Sequence, residues 1–587
     1  PMRDGVRLFT AVYVPKDHAR RYPFLMRRTP YTVAPYGEEN YPRWLGPSAG
    51  RAYAEAGYIF VHQDVRGRFL SEGVFRNMTP HDTGAAGPAD DINESTDMYD
   101  TVEWLLDNVQ PNNGRVGIAG ISYPGFYTAA SIINSHPAIK AASPQAPIGD
   151  WFVGDDFHHH GAFFLLDAFR FFPIFRSNRP ERTTSWPARF DFGMDDSYRF
   201  FLELGPLRNA NERHFHHEVA FWDSLMTHGT YDAFWQSRNI IPHMQNVSGA
   251  VMTVAGWFDA EDPYGPIQIY QSIERQNPDI PNTLVVGPWI HGGWSRTRGD
   301  RLSNIAFDQP TGAFYRDSVE LPFFNYYLKD EGSLDLPEAL VFATGSNRWH
   351  RFDAWPPSDL IPTSLYLRAE GGLAFDPPTA AADPFDEYVS DPAHPVPYTQ
   401  EITMGRTVAY MVEDQRFAAT RPDVLTYRSP VLTEDVTFAG PITADLWVST
   451  TGTDADFVVK LIDVFPNDAP DVEDPHLPVP MGGYQMLVRA EVFRAKFRNG
   501  YAEPEPLVPG EVAHVRFDTP HIFHTFEAGH RIMVQVQSSW FPLVDRNPQT
   551  FVDIYSASEE DFRQATHRLW RTAEYPSRVI IGRLGSQ

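Results

Sequence analysis

Three residues, Ser122, Asp259 and His291, are of the types that nucleophilic acyl chemistry uses. Ser122 sits in Gly120-Ile121-Ser122-Tyr123-Pro124-Gly125, straight after the apolar run Val116–Gly120. Apolar residues at helical spacing follow it: Phe126, Ala129, Ala130 and Ile133. The pattern describes a serine at a strand-to-helix corner, with glycines where side chains would collide as the two elements cross. Such a turn aims the Tyr123 backbone N–H, at the positive end of the helix, toward an oxyanion forming beside the serine. Pro124 falls in the first helical turn, where a missing N–H costs little. The spacing differs by one residue from the commoner G-x-S-x-G, so the hexamer alone also fits an ordinary glycine-rich turn.

Order and context decide between these. Val251–Ala255 is a buried-strand run leading through Gly256 to Asp259, and Thr283–Val286 leads through Gly287 to His291. Ser, then Asp, then His, each partner after a later strand, is the arrangement of an α/β-hydrolase. The triad partners are spaced 137 and 32 residues apart, and the first gap leaves room for an inserted domain. A serine hydrolase is the leading reading.

The 587 residues suffice for several domains, and 42% hydrophobic with 14% aromatic content supplies their cores. The formal charge is −26, with five lysines and no basic run, so nucleic acid and anionic membranes are poor partners and a cationic or neutral small substrate suits better. The absence of cysteine excludes disulfides, thiolate metal sites and cysteine catalysis. No run of about 18 apolar residues suggests a membrane span. The compartment stays open between export after removal of a leader and the cytoplasm.

The elements that must position the triad fall into four stretches. Residues 1–148 alternate strands (Leu8–Val14, Phe24–Arg27, Tyr58–Gln63, Val116–Ala119) with a helix over Ser95–Val109, predicting the first part of a mostly parallel, helix-covered sheet. Acidic residues crowd the start of that helix (Asp90, Asp91, Glu94, Asp97), complementing its dipole without the spacing of a calcium loop. Residues 149–249 carry aromatics at helical spacing and read as a helical cap. The sheet resumes over 250–350 and is expected to end near Phe342. Residues 351–587, with short alternating strands such as Ala444–Thr450 and Ile532–Ser538, read as an all-β jelly roll. The fold class is therefore α/β, an α/β-hydrolase sheet with a helical cap and a C-terminal jelly-roll domain.

Several motifs together carry a resemblance. They are Arg28–Tyr31, Gln63–Arg68 with Ser71–Gly73, Gly120–Gly125, Gly154–His158, Gly256–Asp262 and Gly287–His291, with Gly529–Ile532 and Ser538–Pro542 near the C-terminus. Nearly end to end, the chain resembles α-amino acid ester hydrolases, within the wider cocaine esterase / X-Pro dipeptidyl-peptidase-like group of serine hydrolases. The resemblance implies Ser122 as nucleophile, His291 as general base and acid, and Asp259 as the carboxylate that orients it. It implies that Tyr31 donates its phenol O–H to the oxyanion beside the Tyr123 N–H. A buried tyrosine with a satisfied hydroxyl is the competing reading for Tyr31. It implies an ammonium-binding carboxylate set of Asp156, Glu261 and Asp262, with Asp155 the weaker choice for the first. Three carboxylates within Asp259–Asp262 repel one another unless a cation sits among them. Ordinary salt bridges to arginines are the competing reading. No cofactor and no metal are implied.

His158-His159-His160 and the cluster His214, His216 and His217 match no strong metal pattern and read as packing and pocket-lining, with His158 expected near the substrate amine. Arg66 and Arg68 read as structural hydrogen-bonders. The expected activity is hydrolysis and acyl transfer on α-amino acid esters, with β-lactams bearing an α-amino acyl chain as substrates by resemblance. The alternatives are an acylase, carboxylesterase or X-Pro dipeptidyl-peptidase of the same fold, or a glycan-binding protein with a vestigial centre. Relatives assemble as tetramers partly through an N-terminal arm that would precede Pro1, so a homo-oligomer is an expectation of the resemblance alone.

Overall fold

A computed structural model describes residues 1–81, 91–175, 182–186, 190–379, 383–472 and 479–585. Its central sheet contains β1 (Thr10–Tyr13), β2 (Tyr22–Thr29), β3 (Ile59–Asp64), β4 (Asn112–Ile121), β5 (Ile139–Gln145), β6 (Ala250–Phe258), β7 (Asn282–Ile290), β8 (Ala339–Ala343) and β9 (Arg348–Phe352). They lie in the order β1-β3-β2-β4-β5-β6-β7-β8-β9. The interior pairs are parallel and both edge strands antiparallel. Every residue of β3 and β6 is buried, as expected where helices cover both faces of a parallel sheet. β5 had no separate sequence signal, and the sheet runs past Phe342 because β9 folds back on β8 as an edge strand.

Helix α1 (Glu94–Asn108) buries Met98, Val102 and Leu105 and is capped by Asn93, whose side chain accepts from the Thr96 N–H. Two of the acidic residues at its start are paired with arginines: Glu94 lies 2.9 Å from Arg28, and Asp97 lies 2.6 Å from Arg66. Asp90 falls outside the described residues. Arg66 also reaches Asp4, and Arg68 donates to the Pro30 carbonyl at 2.8 Å, holding the turn that presents Tyr31. Both arginines are structural.

Between β5 and β6 the chain forms short helices. Phe169 packs against Phe190, Phe192, Phe200, Phe201, Phe215 and Trp222 at ring-centroid distances of 4.5–5.7 Å. These offset and edge-on contacts make the hydrophobic core of the cap. C-terminal to the sheet stand two antiparallel sheets, one of seven strands built around Val436–Thr450 and one of four around Asp456–Val464. This domain grips both other parts. His159 of the cap pairs with Glu491 at 2.9 Å, and Arg489 donates to the Trp257 carbonyl at 2.7 Å, two residues ahead of Asp259. Among the described residues, no helix is long and apolar enough to cross a membrane.

The β4-to-α2 corner (α2, Tyr123–Ser131) holds Ser122 at φ 69° and ψ −130°, a conformation that costs a non-glycine residue of order 1–3 kcal/mol. The corner is locked by bonds from Ser122 N–H to the Gln145 carbonyl and from Phe126 N–H to the Ser122 carbonyl, both 2.9 Å. A Cβ on Gly120 would stand 2.2 Å from the Pro124 carbonyl oxygen, and one on Gly125 2.4 Å from that of Gln145. Gly120→Ala should therefore destabilise the fold by about 1–3 kcal/mol and displace the serine, lowering kcat more than KM. Thermal unfolding and ester kinetics on the same preparation check this; wild-type kcat would show that the corner can relax.

Candidate active site

The loop after β6 carries Asp259, and the end of β7 delivers His291. His291 Nδ1 lies 3.0 and 2.9 Å from the two Asp259 carboxylate oxygens, and Asp259 also accepts the N–H groups of Glu261 (2.9 Å) and Asp262 (3.1 Å). Burial works against the Asp259 charge, but His291 and these donors hold its pKa below the usual carboxylate range. His291 Nε2 is buried, makes no hydrogen bond among the described residues, and has a Glu261 oxygen 3.2 Å away. Burial lowers the pKa of His291, yet Asp259 and then Glu261 outweigh it and raise the imidazole to about 9.

Ser122, His291, Tyr31 and Glu261 line one cavity of about 730 Å3. Tyr31 sits edge-on to Tyr123 at 6.2 Å, and burial followed by the field of Asp156 pushes its phenol pKa far up, so it remains an O–H donor. Tyr123 opens α2, so its N–H has no carbonyl within the helix to bind. The Tyr123 hydroxyl, by contrast, points to Asn77 at 3.1 Å and is structural.

A second cavity of about 400 Å3 shares Glu261 with the first. It is lined by Asp156, by Asp167, and by an aromatic wall that includes Phe157, Phe171, Trp186 and Phe190. Asp156 has φ 46° and its N–H donates to the Glu261 carbonyl at 2.6 Å, which ties the cap to the loop after β6. Its carboxylate accepts the Trp151 indole N–H at 2.9 Å. Asp262 is 0% exposed, lines neither cavity, and has no hydrogen-bond partner on either oxygen among the described residues. Burial first, then neighbouring carboxylates (Glu261 for Asp156, Asp156 for Asp262), raises both pKa values far above the ordinary carboxylate range.

The structure therefore brings Ser122, Tyr31, Asp156, Asp259, Glu261, Asp262 and His291 to one place, and excludes others. Asp155 accepts backbone N–H groups from Gly149, Asp150, Tyr264 and Gly265 and is a fold residue. His158 is not beside the amine site. It is buried between the Trp151 carbonyl and the Tyr555 hydroxyl, where desolvation lowers its pKa to about 3 and keeps it neutral. Sequence reasoning missed Arg406, which reaches from the C-terminal domain to pair with Glu261 and, at 2.8 Å, with Asp167. It also missed the aromatic wall, whose residues carried only a helical packing signal.

The comparisons fit this geometry. Residues 4–293 match the model of the X-Pro dipeptidyl-peptidase (S15) family, and residues 331–580 that of the X-Pro dipeptidyl-peptidase C-terminal non-catalytic domain. A cocaine esterase of Rhodococcus sp. (strain MB1 Bresler) is 27% identical over 618 residues, spanning 99% of this chain and 97% of its own. The crystal structure of an aminopeptidase from the marine sediment archaeon Thaumarchaeota archaeon superposes with a TM-score of 0.91 at 40% identity, covering 100% of this chain and 95% of that one. A selenomethionine-labelled α-amino acid ester hydrolase gives 0.90 at 37%, with the same coverage. With its fold, its Ser, Asp and His at the ends of β4, β6 and β7 and its C-terminal β domain, the chain belongs to the cocaine esterase / X-Pro dipeptidyl-peptidase-like group of serine hydrolases.

Proposed function

We propose that this serine hydrolase cleaves esters and amides of α-amino acids, β-lactams with an α-amino acyl chain among them, through an acyl-enzyme on Ser122. Ser122 Oγ attacks the carbonyl carbon while His291 takes its proton, and the oxyanion is held by the Tyr31 O–H and the Tyr123 N–H. The C–O or C–N bond then breaks as His291 returns the proton to the leaving group. Water, or an added amine, releases the acyl group by the same steps in reverse.

The observation that carries the α-amino selectivity is the Asp262 carboxylate, fully buried beside Asp156 and Glu261, without a hydrogen bond among the described residues and 3.9 Å from a His291 Nδ1 that is already bonded to Asp259. Burial without hydrogen-bond donors disfavours the ionised form of such a carboxyl group, and a substrate ammonium among the carboxylates favours it. Asp156 and Glu261 face the cavity and would touch the ammonium; Asp262 would act behind them through its field. The aromatic wall suits an apolar or aromatic side chain on the same α-carbon.

This arrangement also bears on His291. At about 9, its pKa leaves it mostly protonated near neutrality, and only the neutral fraction can accept the serine proton. An ammonium bound among the same carboxylates offsets their pull and lowers the imidazole pKa toward the working range. A second reading, a carboxylesterase without amino selectivity, is favoured by Arg406, which already satisfies part of Glu261.

Two measurements decide. Phenylglycine methyl ester should exceed phenylacetic acid methyl ester in kcat/KM by about 30- to 5,000-fold, or ~2–5 kcal/mol, with Ser122→Ala as blank. Asp156→Asn should shrink that ratio; equal rates in the wild type would establish the carboxylesterase. In the pH profile, neutral His291 is the active form, so rates rise with pH through its pKa. The acid limb of kcat/KM should lie near 9 for the desamino ester, and the kcat limb for the amino ester should lie lower. KM for the amino ester should weaken above about pH 8 as the α-amino group (pKa ~7.7–8.0) loses its proton. Coincident limbs and a flat KM would count against ammonium coupling.

A further inference from the structure

Beneath the serine corner lies a buried hydrogen-bond junction centred on the Gln145 side chain. Gln145 ends β5 and is 0% exposed. Its backbone carbonyl accepts the Ser122 N–H at 2.9 Å. Its amide oxygen accepts the indole N–H of Trp294, on the turn that follows His291, at 2.6 Å. Its amide nitrogen donates to a Glu320 carboxyl oxygen at 2.7 Å and to the Ser143 hydroxyl at 3.1 Å. An indole can only donate, so the amide must turn its oxygen to Trp294 and its nitrogen to Glu320. Ser143 donates in turn to the Met252 carbonyl at 2.9 Å, on β6, the strand that leads to Asp259. Glu320 is buried at the end of a π-helical turn, Tyr315–Glu320, where it also accepts the Tyr315 hydroxyl (3.2 Å) and the Ser48 hydroxyl (2.5 Å). These partners are all neutral, and burial raises its pKa against the hydrogen bonds of Ser48 and Gln145. Ser48 itself lines the Ser122 cavity.

We infer that Glu320 and Gln145 are positioning residues of the hydrolytic reaction: Glu320 fixes the Gln145 amide, and Gln145 holds the Ser122 corner and the His291 turn at one separation. The nucleophile and its base stand on β4 and β7, with β5 and β6 between them. Proton transfer needs Ser122 Oγ and the imidazole within hydrogen-bond reach, and small misplacements cost rate steeply. Asp259 orients His291 from its far side, which leaves the distance to Ser122 open. Gln145 closes that gap, because one residue binds the serine's own N–H and the indole just beyond the histidine. The serine is held at φ 69°, a conformation that persists only while its surroundings over-determine it. A glutamate buried among neutral donors is not needed for packing, where an apolar side chain would serve at lower desolvation cost. Its use is directional: it admits one orientation of the Gln145 amide and, through Ser48, fixes a wall of the cavity. Only Ser122 as nucleophile is required for this, whichever acyl group the site takes.

The test uses p-nitrophenyl acetate, which carries no amine, so its outcome is separate from that of the amino ester reading. Trp294→Phe removes the indole N–H and keeps a ring in place; Glu320→Leu removes the acceptor that fixes the Gln145 amide. Each should lower kcat by about 10- to 100-fold while KM stays within about twofold. Glu320→Gln can still accept from Gln145 and can donate to the Ser48 hydroxyl, so it should recover most of the rate. The double variant Trp294→Phe with Glu320→Leu should be about as slow as the slower single variant, since both losses pass through Gln145. Wild-type kcat in Trp294→Phe overturns the proposal, as does a Glu320→Gln enzyme as slow as Glu320→Leu. Losses that multiply in the double variant, or that fall on KM and spare kcat, overturn it too. Should Glu320→Leu fail to fold, Gln145→Met, which removes the amide and keeps the backbone carbonyl, takes its place. It should lower kcat by a similar factor and add nothing to Trp294→Phe; a multiplied loss there is again the overturning result.

Discussion

Four carboxylates, Asp156, Asp259, Glu261 and Asp262, share one largely buried site with a single histidine, and much of this molecule can be read as the means of keeping them there. Charges of one sign at this spacing cannot all be ionised without cations among them. His291 answers Asp259, and Arg406 answers Glu261 together with Asp167. Asp156 has one indole donor and Asp262 has none among the described residues, so both are pushed toward the neutral acid by burial and by their neighbours. A positive charge entering this site would favour the ionised forms of Asp156 and Asp262 and oppose the carboxylate pull that raises the His291 pKa.

The C-terminal β domain is therefore tied to the chemistry, although the family model it matches is described as non-catalytic. It contributes Arg406 to the carboxylate cluster, and Met404, Gly405, Val408 and Met411 to the walls of the two cavities. Arg489 holds the backbone just ahead of Asp259, and Glu491 holds His159 of the cap. Removing such a domain would expose the site and also free the half-buried Glu261 from Arg406. The strained corner at Ser122 follows a similar logic. Its positive φ is tolerated because the strand, the helix and the Gln145 carbonyl over-determine it.

Legibility in the sequence followed the range of the interactions involved. The triad, the glycines of the corner, α1 and most of the sheet strands were readable because close-range sterics and side-chain periodicity are written in neighbouring residues. β5 and β9 were not, since Ile139–Gln145 carries lysine, serine and glutamine and Arg348–Phe352 is a partly exposed edge. The three consecutive histidines have one composition and three fates. His158 is buried against Tyr555, His159 is paired with Glu491, and His160 is bonded to Tyr501, each decided by what the C-terminal domain places opposite.

By itself, then, the sequence determined the reaction class: a serine on a forced turn, with aspartate and histidine after later strands, leaves little else for those residues to do. It also determined that carboxylates crowd next to Asp259, because they are adjacent in the chain. Which aspartate of the Asp155–Asp156 pair faces the cavity and which arginine neutralises Glu261 were decided by tertiary structure. Those outcomes depend on charge pairing between segments more than a hundred residues apart, and no local pattern of residue types encodes which buried charges will find partners when distant surfaces close on one another.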